Sequence, residues 1–197
     1  MGLSLIGTPI FSGDTADHPA PYTGMADASG PPIGGANPDF RPGTPQDLAL
    51  LDTIARAEGA YDPLTGRPRY DIRFGDSHAN KIGSLDINKP HPLNVTGSPY
   101  SYLRSNASGA YQFLSTTWIA ANNGVNKPMT PKNQDAAALW LIRRTTWNHA
   151  RKNWPSLSGQ WASIPTWSGY SAYGQPSHSI AFLNNYYHKR LKYHQAA

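Results

Sequence analysis

Leu48, Leu51, Ile54 and Ala55 recur at the three- and four-residue spacing of a helix with one apolar face. Thr44-Pro45-Gln46-Asp47 stands just before them and reads as a helix start: a capping threonine, proline at the first helical position, and an acid in the first turn. Gly59 supplies the stop. The pattern then changes. Residues 61–104 are rich in Gly, Pro, Asn and Asp, with short alternating runs such as Tyr70-Asp71-Ile72-Arg73-Phe74, which predict a small, irregular β-hairpin region with long loops.

Helical spacing returns from about Ser115 to Asn123, ending at Gly124. Thr130-Pro131 caps the next helix, through Ala136, Leu139, Trp140 and Arg143. Residues 147–170 suggest short turns broken by Pro155 and Pro165. A last helix begins near Ser177, with Ile180, Leu183, Tyr187 and Leu191 on one face. No internal repeat is present. The expected class is α+β: a leading helix, a small β lobe, then a helical lobe.

Residues 1–43 form no such pattern. Fifteen of them are Pro or Gly, so the segment reads as an extended N-terminal arm that cannot bury enough surface to order itself. It is either a flexible linker or a peptide that docks on a partner protein. The folded domain is expected over 44–197. The net charge of +5 divides unevenly: the arm carries −3 and the remainder +8, and a basic domain favours a polyanionic partner. Cysteine is absent, which excludes disulfides, a thiol nucleophile and thiolate metal sites. No segment has the apolar length to span a bilayer, and the N-terminus is a poor signal peptide.

Glu58 is the only glutamate in the chain. With Leu48 at 0° on a helical wheel, Leu51, Ile54 and Ala55 fall near about −60°, −120° and −20°, and Glu58 near about −80°. The carboxyl group therefore lies within the apolar arc. Burial and the nearby negative end of the helix dipole would both raise its pKa. A carboxylic acid protonated near neutral pH is what a leaving glycosidic oxygen requires. The wheel leaves a second reading open, in which Glu58 lies past the last packed turn and reaches solvent.

Ile54-Ala-Arg-Ala-Glu-Gly59, together with Ser105-Asn-Ala-Ser-Gly-Ala-Tyr-Gln-Phe-Leu-Ser-Thr-Thr-Trp118, resembles the lysozyme-like lytic transglycosylases, above all the phage lambda endolysin family. The likeness continues in order through Tyr70-Asp71, His91-Pro92, Thr130-Pro-Lys-Asn-Gln-Asp-Ala136, Trp161-Ala-Ser-Ile-Pro165 and Tyr173-Gly174-Gln175, and covers roughly residues 46–190. The resemblance implies a lysozyme-like two-lobed fold with a sugar cleft between the lobes. It makes Glu58 the catalytic residue and sets Ser108, Gly109, Tyr111 and Gln112 on the cleft floor, with Tyr70 and His91 beside the substrate, although Tyr111 could instead pack in the core and His91 could instead brace a loop. Phe113 is expected in the core.

Hydrolysing glycosidases usually need two carboxylates. Asp62, Asp71, Asp76 and Asp86 are available, with Asp71 and Asp76 the candidate second carboxylates, although Asp71 could instead brace a loop. The resemblance implies a different chemistry, in which Glu58 alone protonates the MurNAc–GlcNAc bond and then draws a proton from the MurNAc C6 hydroxyl, leaving 1,6-anhydro-MurNAc. A hydrolysing muramidase is the alternative, and a virion component docked through the arm is an alternative of another class. No cofactor and no metal site are expected, since the seven histidines lack ligand spacing. Most of the six tryptophans are expected in the core. Peptidoglycan is the expected partner, nucleic acid is not, and the site of action is the bacterial periplasm or cell wall. Delivery would use a holin-type pore or the phage particle. The chain departs from the lambda pattern in its arm, in a longer loop around Asn94–Leu103 and in a basic tail around His188–His194.

Overall fold

In a computed structural model, residues 41–76, 83–94, 96–97 and 104–196 are described, with backbone only at 96, 97 and 104. The expected arm up to residue 40, its docking surface and most of the loop around Asn94–Leu103 lie outside them.

Helix α1 (Pro45–Ala57) forms where the spacing predicts it. The Thr44 hydroxyl accepts from the Asp47 N–H at 3.2 Å, and Asp47 Oδ2 accepts the Thr44 N–H at 3.0 Å, a reciprocal pair that fixes the first turn. Its Leu50, Leu51, Ile54 and Ala55 are fully buried. Helix α4 (Ile180–Ala196) packs along α1 through Leu183 and Tyr187. Ile180, expected on the same buried face, is 42% exposed because it opens the helix.

Arg41, assigned to the arm by composition, belongs to the folded unit. Its guanidinium reaches Asp52 of α1 at 2.5 Å and Asp135 at 2.7 Å. Asp52 also accepts from Arg190 at 2.6 Å and lies 2.7 Å from His194, so one buried carboxylate ties the domain entrance and α4 to α1.

Among the described residues, the β region is smaller than the alternation suggests. Strands β1 (Thr96–Gly97) and β2 (Arg104–Ser105) pair antiparallel, and Tyr70–Phe74 contributes only an isolated bridge between Arg73 and Ser108. The reason is local. Asp76 Oδ2 accepts the N–H groups of Arg73 and Ser84 at 2.8 and 3.0 Å, and Asp71 Oδ2 accepts that of Gly83 at 2.8 Å. Side chains thus take donors that a ladder would use.

Helices α2 (Ser115–Ala121) and α3 (Pro131–Arg143) follow. The first ends on Asn123 and Gly124, both with left-handed backbone, and Thr130 caps the second. Pro155 lies within a 3₁₀ turn, Trp154–Leu157, instead of ending an element. Trp118, Trp154 and Trp161 are buried with Phe113, Met129 and Ile164, whereas Trp167 is 79% exposed. No helix among the described residues is long and apolar enough to cross a membrane.

Candidate active site

Glu58 stands at the C-terminal cap of α1. Gly59 follows with φ +78°, a conformation that a side chain would strain. The helix then closes with the Gly59 N–H on the Arg56 carbonyl (3.2 Å) and the Ala60 N–H on the Ala55 carbonyl (2.9 Å). This paired closure holds the Glu58 backbone at the edge of the apolar face, where the residue is half-buried.

Its carboxyl group meets one hydroxyl. Ser163 Oγ donates to Glu58 Oε1 at 2.5 Å, from a segment 105 residues away in sequence. Burial pushes the Glu58 carboxyl above its ordinary value, against the hydrogen bonds from Ser163, which favour the ionised form. The combination suits a proton donor: a carboxyl that keeps its proton longer than a surface glutamate, with a neighbour able to support the carboxylate once the proton has left. Ser163 was not anticipated from the sequence. Its only signal there is its place in Trp161–Pro165.

The Ser108–Phe113 stretch forms a closed turn. Ser108 and Phe113 exchange backbone hydrogen bonds at 3.0 and 2.9 Å, and Gly109 (φ +80°) and Gln112 (φ 48°) make the reversal between them. The side chains expected to meet sugar are mostly turned inward. Ser108 is fully buried, its hydroxyl on the Asn106 carbonyl at 3.0 Å. Tyr111 is 1% exposed, and its hydroxyl donates to Asp135. Trp161 Nε1 donates to the Tyr111 carbonyl at 3.2 Å, which fastens the Ser163 segment to this turn. Tyr111 is thus a core member, with no ring face left for a glycan.

Gly109 permits a close approach, but by Gln134: a Cβ there would fall 2.1 Å from Gln134 Oε1. Gln134, fully buried on α3, accepts the Ala110 N–H at 2.8 Å and donates to the Tyr70 and Met129 carbonyls at 3.0 and 2.6 Å. Gln112 remains half-buried, its amide donating to the Gly109 carbonyl at 2.9 Å. Tyr70 is half-buried too, with its hydroxyl on Asp135 at 2.8 Å. His91 is 2% exposed; its Nε2 donates to the Phe113 carbonyl at 2.8 Å, and burial lowers its pKa, so the ring braces the turn in its neutral form.

Neither candidate second carboxylate shares a hydrogen bond or ion pair with Glu58. Asp71 pairs with Arg69 at 2.9 Å and holds Gly83, and Asp76 holds Arg73 and Ser84. Tyr70 and Asp71 line a shallow groove of about 570 Å³ with Arg69, Ile87 and Pro131; Glu58 does not line it.

The chain is similar to known proteins in family and fold. The family model described as endolysin matches residues 48–192. Among solved structures, bacteriophage lambda lysozyme complexed with a chitohexasaccharide is similar at 28% identity and a TM-score of 0.59, over 76% of this chain and 96% of that one. A second structure, lysozyme from bacteriophage lambda, matches at 24% identity and a TM-score of 0.53, over 78% and 96%. No curated protein matches. The architecture is the mostly helical, lysozyme-like fold. A match across well over half its length establishes that the chain belongs to the endolysin family of phage enzymes that break down the bacterial cell wall.

Proposed function

We propose that this endolysin is a peptidoglycan lytic transglycosylase with Glu58 as acid and then base. The protonated carboxyl gives its proton to the glycosidic oxygen as the bond from MurNAc C1 breaks. The resulting carboxylate, steadied by the Ser163 hydroxyl, then takes the proton of the MurNAc C6 hydroxyl while that oxygen bonds to C1. The ring closes as 1,6-anhydro-MurNAc, the glutamate regains its proton, and no water is consumed.

The carrying observation is the lone glutamate, held at the end of α1 with a raised pKa and a hydroxyl at 2.5 Å. The occupation of Asp71 and Asp76 in loop bracing favours a single-carboxylate route over a hydrolysing muramidase. Glycan binding is supported by the hexasaccharide carried by the lambda lysozyme structure. It is supported too by the exposed rings of Trp167 and Tyr170, in the turn that follows Ser163. Gln112 is the residue of the Ser108–Phe113 turn best suited to contact sugar, since its side chain is polar and half-buried.

The test is mass spectrometry of muropeptides released from purified peptidoglycan, with Glu58→Gln in parallel. Products lighter by one water, ending in 1,6-anhydro-MurNAc and lost with the variant, are expected. Reducing MurNAc ends would establish hydrolysis, and undiminished release by Glu58→Gln would remove the glutamate from the chemistry.

A further inference from the structure

His178 lies between the Ser163 segment and α4, and none of the steps above uses it. Its backbone N–H donates to the Ser163 carbonyl at 2.9 Å, and its ring Nε2 lies 3.2 Å from the Ala57 carbonyl. A carbonyl only accepts, so Nε2 carries the proton of that bond. The ring is stacked on Phe182 of α4, with centroids 4.4 Å apart and planes inclined by 16°. One residue thus touches the residue before the catalytic glutamate and the serine that hydrogen-bonds its carboxyl.

We infer that His178 is a positioning residue, a clamp that holds the Ser163 segment in register with the end of α1 and so fixes the geometry of the Glu58–Ser163 pair. The pair gains a second tie from it, since the buried Trp161 and Ile164 anchor the Ser163 segment to the core but not to the end of α1. Glu58 and Ser163 come from distant segments, and the turn after Ser163 carries Trp167, Ser168, Gly169 and Tyr170, all exposed and without core packing. On the other side, the closure of α1 uses the Ala55 and Arg56 carbonyls and leaves that of Ala57 for a donor from elsewhere. A ring N–H there satisfies a helix-end carbonyl with the polarity that the dipole favours. Phe182 sets the plane of the ring, so the N–H points at Ala57 without a search through rotamers.

The inference rests on Glu58 being the catalytic group, and three variants measured beside Glu58→Gln separate the two claims. His178→Phe keeps the stacking on Phe182 and removes the donor. His178→Gln restores a donor near the Nε2 position. His178→Ala removes ring and donor together. Small displacements of a reacting group lower turnover strongly, so His178→Phe is expected to lower kcat roughly 10- to 100-fold with little change in KM. His178→Gln should recover most of that loss, and thermal midpoints of the two should agree closely.

A second readout reports on the carboxyl itself. Activity that needs protonated Glu58 falls as pH rises through its pKa. Loosening Ser163 removes a hydrogen bond that favours the ionised form, so the alkaline limb of the kcat profile should move to higher pH in His178→Phe. Unchanged kcat in His178→Phe, with Glu58→Gln inactive, overturns the clamp and leaves the catalytic glutamate in place. Equal losses in the Phe and Gln variants that follow falling thermal midpoints would also overturn it, by showing a purely structural role. Full activity in Glu58→Gln would remove both claims.

Discussion

Replacing Gln134 with leucine is the most direct probe of what holds the site together. The side chain is fully buried and engages three backbone groups, the Ala110 N–H and the Tyr70 and Met129 carbonyls. Leucine keeps the approximate volume, so little of the effect comes from an empty cavity. Each buried group left without a partner costs about 1–3 kcal/mol. The Tyr70 bond is only part-buried and counts toward the low end, which gives a total of about 3–7 kcal/mol. For a domain of this size each kcal/mol lowers Tm by about 2–4 °C, so a fall of at least about 6 °C, and up to about 28 °C, is expected in a thermal scan followed by circular dichroism. Activity well below the new midpoint should fall too, because the Ser108–Phe113 turn loses its tie to α3. A double-mutant cycle sharpens the test. Gly109→Ala sets a Cβ 2.1 Å from Gln134 Oε1 at a left-handed position, and truncation to Gln134→Ala relieves the collision but not the backbone strain. Gly109→Ala should therefore cost less, by about 1 kcal/mol, in the Gln134→Ala background than in the parent. A Gln134→Leu loss below about 1 kcal/mol, or strictly additive costs in the cycle, would refute the hub.

Two further outcomes follow from other parts of the molecule. Burial pushes the Asp52 carboxyl up, but the His194 hydrogen bond and the charges of Arg41 and Arg190 more than offset this, so its pKa lies below the ordinary value. Its contribution to stability is complete above the unfolded pKa of about 3.9 and is lost as pH falls through the lower folded value. Urea midpoints should therefore decline on acidification below about pH 4 and decline less in Asp52→Asn, which is already weakened at neutral pH; parallel curves would remove Asp52 from the effect. Trp167 is 79% exposed and four residues from Ser163, hence within about 14 Å of it. If its ring stacks on the glycan, Trp167→Ala should raise KM roughly 3- to 10-fold at unchanged kcat, as for an aromatic contact of about 0.5–1.5 kcal/mol. A loss confined to kcat would instead place the ring in the chemistry.

The elements legible in the sequence are those whose signals are local. The capping box at Thr44, the apolar spacing through Ala55, the glycine after Glu58 and Thr130-Pro131 are all complete within a few residues, and the structure follows them. Alternation in Tyr70–Phe74 misleads because it records only which side chains are apolar. It carries no information on whether a ladder or a carboxylate will take the backbone donors, and Asp71 and Asp76 take them. Long-range polar partners are equally invisible. Arg41 and Asp135 lie 94 residues apart, and Asp52 and Arg190 lie 138 apart, so neither pairing has a pattern to read.

The lone glutamate on an apolar helix face is a local feature, and the family resemblance made it the catalytic candidate where the helical wheel left a solvent-facing reading open, whereas the roles of the residues around it have no such signal. The Gly109–Gln112 turn was expected to meet sugar, yet it is defined by two left-handed backbone positions, a cavity filled by Gln134 and a tyrosine hydroxyl committed to Asp135. Few side chains satisfy those demands together, so most of this motif serves the scaffold, and of its side chains Gln112 alone stays half-buried. The same holds for Trp161, whose indole ties the Ser163 segment to the Tyr111 carbonyl. The motifs that carry the family resemblance thus describe mainly the scaffold that brings Ser163 within 2.5 Å of Glu58. On the proposed reading, contact with the glycan falls to the half-buried Gln112 and the exposed rings after Ser163. The exposed rings of Trp167 and Tyr170 carry little packing constraint, so on that reading they can vary with the wall polymer while Glu58 and Ser163 stay fixed.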